Sequence, residues 1–118
     1  METNEAIKAF SQSEKLKTGL IWANQMIEAY VSLPEAEKPG AERMLKILIG
    51  MIGNELHVAK KAAPHPAWQE AEKPLNTALV MMNSGVMHES SYHLTQVLSK
   101  VTTVGQQSMS LLVEKGLL

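Results

Sequence analysis

Apolar residues recur at steps of three and four along almost the whole chain, and that spacing predicts α-helices. In the first segment Ala9, Leu16, Leu20, Ala23, Ile27 and Tyr30 share one stripe, with Ser13 in the slot between Ala9 and Leu16. The second offers Ala41, Leu45, Leu48, Ile52, Ala59 and Ala62, with Glu55 in its vacant slot. The third offers Trp68, Leu75, Leu79, Met82 and Val86, and the fourth Leu94, Val97, Val101, Val104 and Leu111, with Ser108 among them. No stretch alternates apolar and polar residues as a half-buried strand would, and no Asn-Gly pair marks a hairpin.

The breaks between these segments carry helix-ending chemistry. Ser32-Leu33-Pro34 closes the first, and Pro39 suits the first turn of the second. Ala63-Pro64-His65-Pro66 separates the second from the third. Asn83-Ser84-Gly85 is expected to end the third, with Gly85 in the left-handed position beyond the helix; the alternative is one continuous helix through residue 115. Pro74 interrupts the third segment, because it lacks a backbone donor and clashes with the preceding turn. Either the helix kinks there or residues 66–72 form a separate turn and the main helix restarts at Pro74, which is the expectation. The helices fall at about 4–32, 39–62, 66 or 74 to 83, and 88–115. Short connections make neighbours antiparallel, so the fold class is all-α: a single domain, 1–118, forming an up-down-up-down four-helix bundle. Twenty-odd residues per helix imply a rod of roughly 30–35 Å.

Charge divides the chain. Only Glu89, Lys100, Glu114 and Lys115 lie beyond Pro74, whereas the first 73 residues carry the other nineteen charged side chains. On the fourth helix a second stripe, Ser91, Thr95, Leu98, Thr102, Gly105, Met109 and Val113, steps by three and four and holds no charge. Glu89, Gln96, Lys100, Thr103, Gln107 and Glu114 are left as its wet strip. A helix dry on two sides packs between two neighbours, so a homodimer through helix 4, with helix 3 as a possible contributor, is expected. The bland alternative is a plain Ser/Thr surface. On helix 1, Trp22, Met26 and Gly19 lie off the main stripe, as do Ile21 and Phe10. They either dock something or belong to a broad face that wraps into the core.

Composition removes several classes. A net charge of −1 lacks the basic face that a nucleic-acid binder needs. The absence of cysteine excludes disulfides, thiolate metal sites and Cys nucleophiles and is consistent with a reducing cytoplasm; a cytoplasmic, bacterial protein is the expectation. The acidic start Met1-Glu2-Thr3-Asn4-Glu5 does not resemble a signal peptide, and no apolar run reaches the ~18 residues of a membrane span.

Candidate chemistry is sparse. Glu55 in a core slot must be paired, protonated or at a rim; with Ser13 and Ser108 at the same level it would form a polar layer, serving as a small-ligand site or a register device. Glu89 and His93 are half a metal site, but His57 lies at the other end of the expected rod. Met81, Met87 and His88 are soft ligands that also suit plain packing. No metal or other cofactor is expected. No phosphate loop, nucleophile triad or paired carboxylates appear, and Arg43 alone makes no anion clamp, so catalysis is not expected. His57-Val58-Ala59-Lys60-Lys61 resembles the His-x-x-Lys-Gly motif of histidine phosphotransfer domains, which are also four-helix bundles of about this length. The resemblance covers five residues and implies that His57 accepts a phosphoryl group with Lys60 beside it. Lys61 stands where that family has Gly. The leading expectation is a non-catalytic module for self-association or for binding a helical protein partner, with no nucleic acid and no membrane. The alternatives are phosphotransfer through His57 and a ligand or metal site around Glu55.

Overall fold

A computed structural model describes all residues from Met1 to Leu118. Four helices follow one another: α1 (Thr3–Val31), α2 (Lys38–Ala62), α3 (Pro66–Asn83) and α4 (Met87–Glu114), with one short 3-10 turn, Glu35–Glu37, ahead of α2. Pro39 occupies the first turn of α2 and Pro66 that of α3. The His65 ring caps α3, its Nδ1 accepting from the Ala67 N–H at 3.0 Å.

Glycine ends α3 and α4 by the same device. Gly85 has φ +80° and Gly116 φ +73°. After α3, the Val86 N–H reaches the Met81 carbonyl at 3.0 Å and the Gly85 N–H reaches Met82 at 3.3 Å. After α4, Leu117 bonds Leu112 at 2.8 Å and Gly116 bonds Val113 at 3.0 Å. Both are Schellman motifs, in which a left-handed residue turns the last N–H groups back onto orphan carbonyls. The break at Gly85 is therefore real, and α3 and α4 are separate helices.

Cross-helix pairs give the topology. Lys15 meets Glu55, Lys60 meets Glu72, and Lys100 meets Glu70. Ser91 bonds Asn24 at 3.0 Å, and Lys115 bonds Thr3 at 2.7 Å. Along α1 and α4 one residue number rises as the other falls, and in the other neighbours each pair joins residues on either side of the connecting turn, which fits antiparallel packing. α1 and α3 are each flanked by α2 and α4, giving the expected bundle. α4 packs along α1 and α3 far more extensively than α2 does, and α2 is the least covered helix.

Three expectations need correction. α3 runs unbroken through Pro74. The N–H that Pro74 lacks would have served the Glu70 carbonyl, and Glu70 lies on the exposed side. Buried Trp68, Ala71, Leu75 and Ala78 hold both halves on one stripe, and Trp68 is further anchored by donating from Nε1 to the Ala63 carbonyl at 2.9 Å. The rod is 53 Å long because α1 and α4 run 29 and 28 residues. On α2 the buried stripe is Leu45, Ile49, Ile52, Leu56 and Ala59, not the series through Leu48 and Glu55. Rotating the face by one position buries the Leu56 isobutyl group in place of a carboxylate, which avoids a desolvation cost of several kcal/mol.

The seam between α1 and α4 is built on small side chains. Ala6, Ala9, Ser13 and Ala23 from α1 are all buried. A Cβ added to Gly105 would sit 2.8 Å from the Ser13 Oγ and 3.4 Å from its Cβ. Gly105→Ala should therefore destabilise the chain in urea unfolding by about 1–3 kcal/mol, despite alanine's better helix propensity. In a Ser13→Ala background the same change should become neutral or stabilising. Equal effects in both backgrounds would show that the two side chains are not in conflict.

Near the turn into α2, the Tyr30 hydroxyl donates to Glu42 Oε1 at 2.5 Å, and Lys38 lies 5.6 Å from the ring centre. The hydrogen bond to Glu42, with burial and nearby carboxylate charge adding to it, pushes the phenol up to about 12. A raised folded-state value stabilises fully below the unfolded value near 10 and is lost as pH climbs through about 12. Tyr30→Phe should cost about 1 kcal/mol below pH 10. That deficit should close between pH 10 and about 12, measured as the difference in unfolding free energy between the two proteins.

Candidate functional site

Gly19 sits where α1 passes α2, and it leaves the wall of the seam bare. A methyl group there would lie 3.6 Å from Ile52 Cγ1, an ordinary contact, so the glycine is not forced by crowding. Its effect is a hollow. Leu16 and Ile52, both buried, form the floor with half-buried Leu48, and Trp22 and Met51 form the walls. Glu14, Lys15, Thr18 and Glu55 make the rim. The open groove has a volume of about 560 Å³.

The apolar character does not stop at the groove. Trp22 is 62% exposed, Met44 63%, and Ile47 and Met51 58% each. Met26, one turn beyond Trp22, is also exposed, as is Val58. Met44, Ile47, Met51 and Val58 step by three, four and seven, so they form a second apolar stripe beside the buried one. No charged residue interrupts the series Gly19, Trp22, Met26 on α1 or Met44, Ile47, Leu48, Met51 on α2. Scattered exposed apolar residues are normal on any protein surface, whereas a contiguous patch marks a contact site.

Glu55 belongs to this groove. Its carboxylate lies 3.1 Å from the Lys15 ammonium, with the two side chains 34% and 63% exposed. A pair this wet contributes at most about 1 kcal/mol. The expected polar layer of Glu55, Ser13 and Ser108 is not assembled. Ser13 and Ser108 are buried, but Ser13 donates to the Phe10 carbonyl at 2.9 Å and Ser108 to Val104 at 2.8 Å. Each hydroxyl is satisfied by its own helix, so neither needs the carboxylate.

The charge-free stripe on α4 divides. Ser91, Leu98, Thr102 and Gly105 are half-buried, and α1 accounts for much of this: Ser91 bonds Asn24, while Thr102 and Gly105 line a narrow crevice with Phe10, Ser13 and Lys17. Thr95, Met109 and Val113 remain exposed. Part of the second dry side of α4, at Ser91, Thr102 and Gly105, therefore lies beside α1 of the same chain.

His57 is exposed on α2, and Lys60 is ion-paired with Glu72 of α3. The cation that the phosphotransfer resemblance would give His57 is thus already engaged. Met87 is buried in the core, which separates it from exposed His88, and His93 packs edge-on against Tyr92 at 5.3 Å. A second hollow, of about 340 Å³, lies at the α2–α3 turn among Lys60, Pro64, His65, Pro66 and Gln69 and has no apolar floor.

Trp22, Met26 and Gly19 stood out in the sequence as off-stripe residues, and the structure leaves Trp22 outside the core. Met44, Ile47 and Met51 did not stand out. Their signal was present as a second three-and-four series on a helix apolar over half its circumference, but either series could have been the buried one. No family model matches the chain, and comparison with curated proteins and with solved structures returns no match.

Proposed function

We propose that this protein is a non-catalytic interaction module that docks a helical surface on the α1–α2 face. The observation that carries the reading is the set of exposed apolar side chains Trp22, Met26, Met44, Ile47 and Met51 on the α1–α2 pair, beside the Gly19 hollow. Trp and Met are the residue types that anchor protein contacts, Trp by area and Met by its adaptable thioether. Helical partners lay apolar side chains spaced by three and four into grooves of this kind. The rim adds the Lys15–Glu55 pair, the Glu14 carboxylate and the Thr18 hydroxyl, which can orient a partner. Self-association expected along α4 is better placed here, because the exposed α4 positions Thr95, Met109 and Val113 are separated by half-buried ones.

Site-specific photo-cross-linking in native host cells tests the face without presupposing its occupant. A photoreactive side chain placed at Trp22 or Met51 should give defined protein adducts, and the same group at exposed Gln96 should not. Equal adduct yields at all three positions, or none at positions 22 and 51, would overturn the reading.

A further inference from the structure

We infer that the occupant of the α1–α2 face is a second copy of this chain, related by a twofold axis that passes close to Met51. The inference rests on the docking reading above and names the partner. Three observations favour self-pairing.

The first is shape. A twofold interface brings one patch against itself, so it needs a protrusion and a hollow side by side. Trp22 protrudes, and the Gly19 hollow lies one turn away on the same helix. With the copies antiparallel, Trp22 of each fills the hollow of the other, and the axis runs between residues 19 and 22. At that level α2 presents Met51, which lines the same groove.

The second is charge. Across a twofold axis like meets like, so a patch of one sign repels itself. Here the apolar area carries no charge, and its rim holds Lys15 beside Glu14 and Glu55. In the antiparallel register Glu55 and Lys15 lie four to six residues from the axis, so the two copies' rims fall roughly 12–17 Å apart along the helices and like charges do not meet.

The third is area. Trp22, Met26, Met44, Ile47 and Met51 together expose roughly 600 Å², at the upper limit of patches on monomeric proteins. That matches the roughly 600–800 Å² each partner gives to a stable interface.

The register makes the inference specific. Met44 and Val58 lie seven residues to either side of Met51, about 10 Å along the helix. About the proposed axis, the two copies of residue 51 come together, whereas those of residue 44 or of residue 58 lie roughly 20 Å apart, far beyond disulfide reach. The chain has no cysteine, so single substitutions report cleanly.

Light scattering at micromolar concentration should give twice the 13.0 kDa chain mass. Trp22→Glu should give monomers with unchanged far-ultraviolet circular dichroism. On mild oxidation Met51→Cys should form covalent dimers at least about tenfold faster than Met44→Cys or Val58→Cys. A monomeric native chain, a dimer that survives Trp22→Glu, or equal cross-linking at the three positions would each overturn the inference. If the chain is monomeric while photo-cross-links at positions 22 and 51 capture a different protein, the second copy is ruled out and the docking face stands. If neither forms, both fall.

Discussion

The constraint on which the structure depends is that α4 lies between two neighbours. It packs along α1 on one side and α3 on the other, more extensively than α2 packs on either. Its composition follows. Ser, Thr, Gly and Val let backbones approach, and the hydroxyls are satisfied by carbonyls of their own helix, as at Thr102 and Ser108. The approach is close at Gly105 and Ser13. A charged side chain at either place would have no room and no partner.

The same arrangement leaves α2 as the outlier. With α1 and α3 both committed to α4, α2 is covered along one stripe only. Its second apolar stripe, Met44, Ile47, Met51 and Val58, stays 47–63% exposed. The two tryptophans show the contrast. Trp68 is fully buried, with its indole N–H bonded to the Ala63 carbonyl, and it locks the α2–α3 turn. Trp22 is mostly exposed and contributes little to holding the bundle together. A large aromatic kept on the surface, beside a hollow and in line with exposed methionines, is best explained by a contact outside the chain.

Much of this fold could be read from the sequence. Helix number, connection sites and the role of Gly85 all follow from local chemistry, since spacing, proline and left-handed glycine act over a few residues. What could not be read is which of two equivalent stripes on α2 faces inward. Leu48–Glu55 and Ile49–Leu56 have the same spacing, and the choice is made by α1 and α3, not by α2 itself. Glu55 shifted from a core slot to a groove rim for that reason alone. Pro74 was similarly ambiguous: its cost is local, but the stripe through Trp68, Ala71 and Leu75 that keeps α3 whole is tertiary. On α4 the charge-poor second stripe pointed to a partner chain, but spacing cannot say whether a neighbour belongs to the same chain, and Ser91, Thr102 and Gly105 lie beside α1. The exposed apolar patch lies on the opposite side of α1, in the charged part of the sequence, where composition drew no attention to it.

A second copy on the α1–α2 face would make the accessibility of Trp22 depend on concentration. Acrylamide quenching of the two tryptophans, followed as the native protein is diluted, tests it most directly, because Trp68 is inaccessible at every concentration and Trp22 reports the face. Both tryptophans should be protected in concentrated solution, and one should become quenchable on dilution. A quenchable tryptophan whose accessibility is the same at every concentration would contradict a second copy on this face.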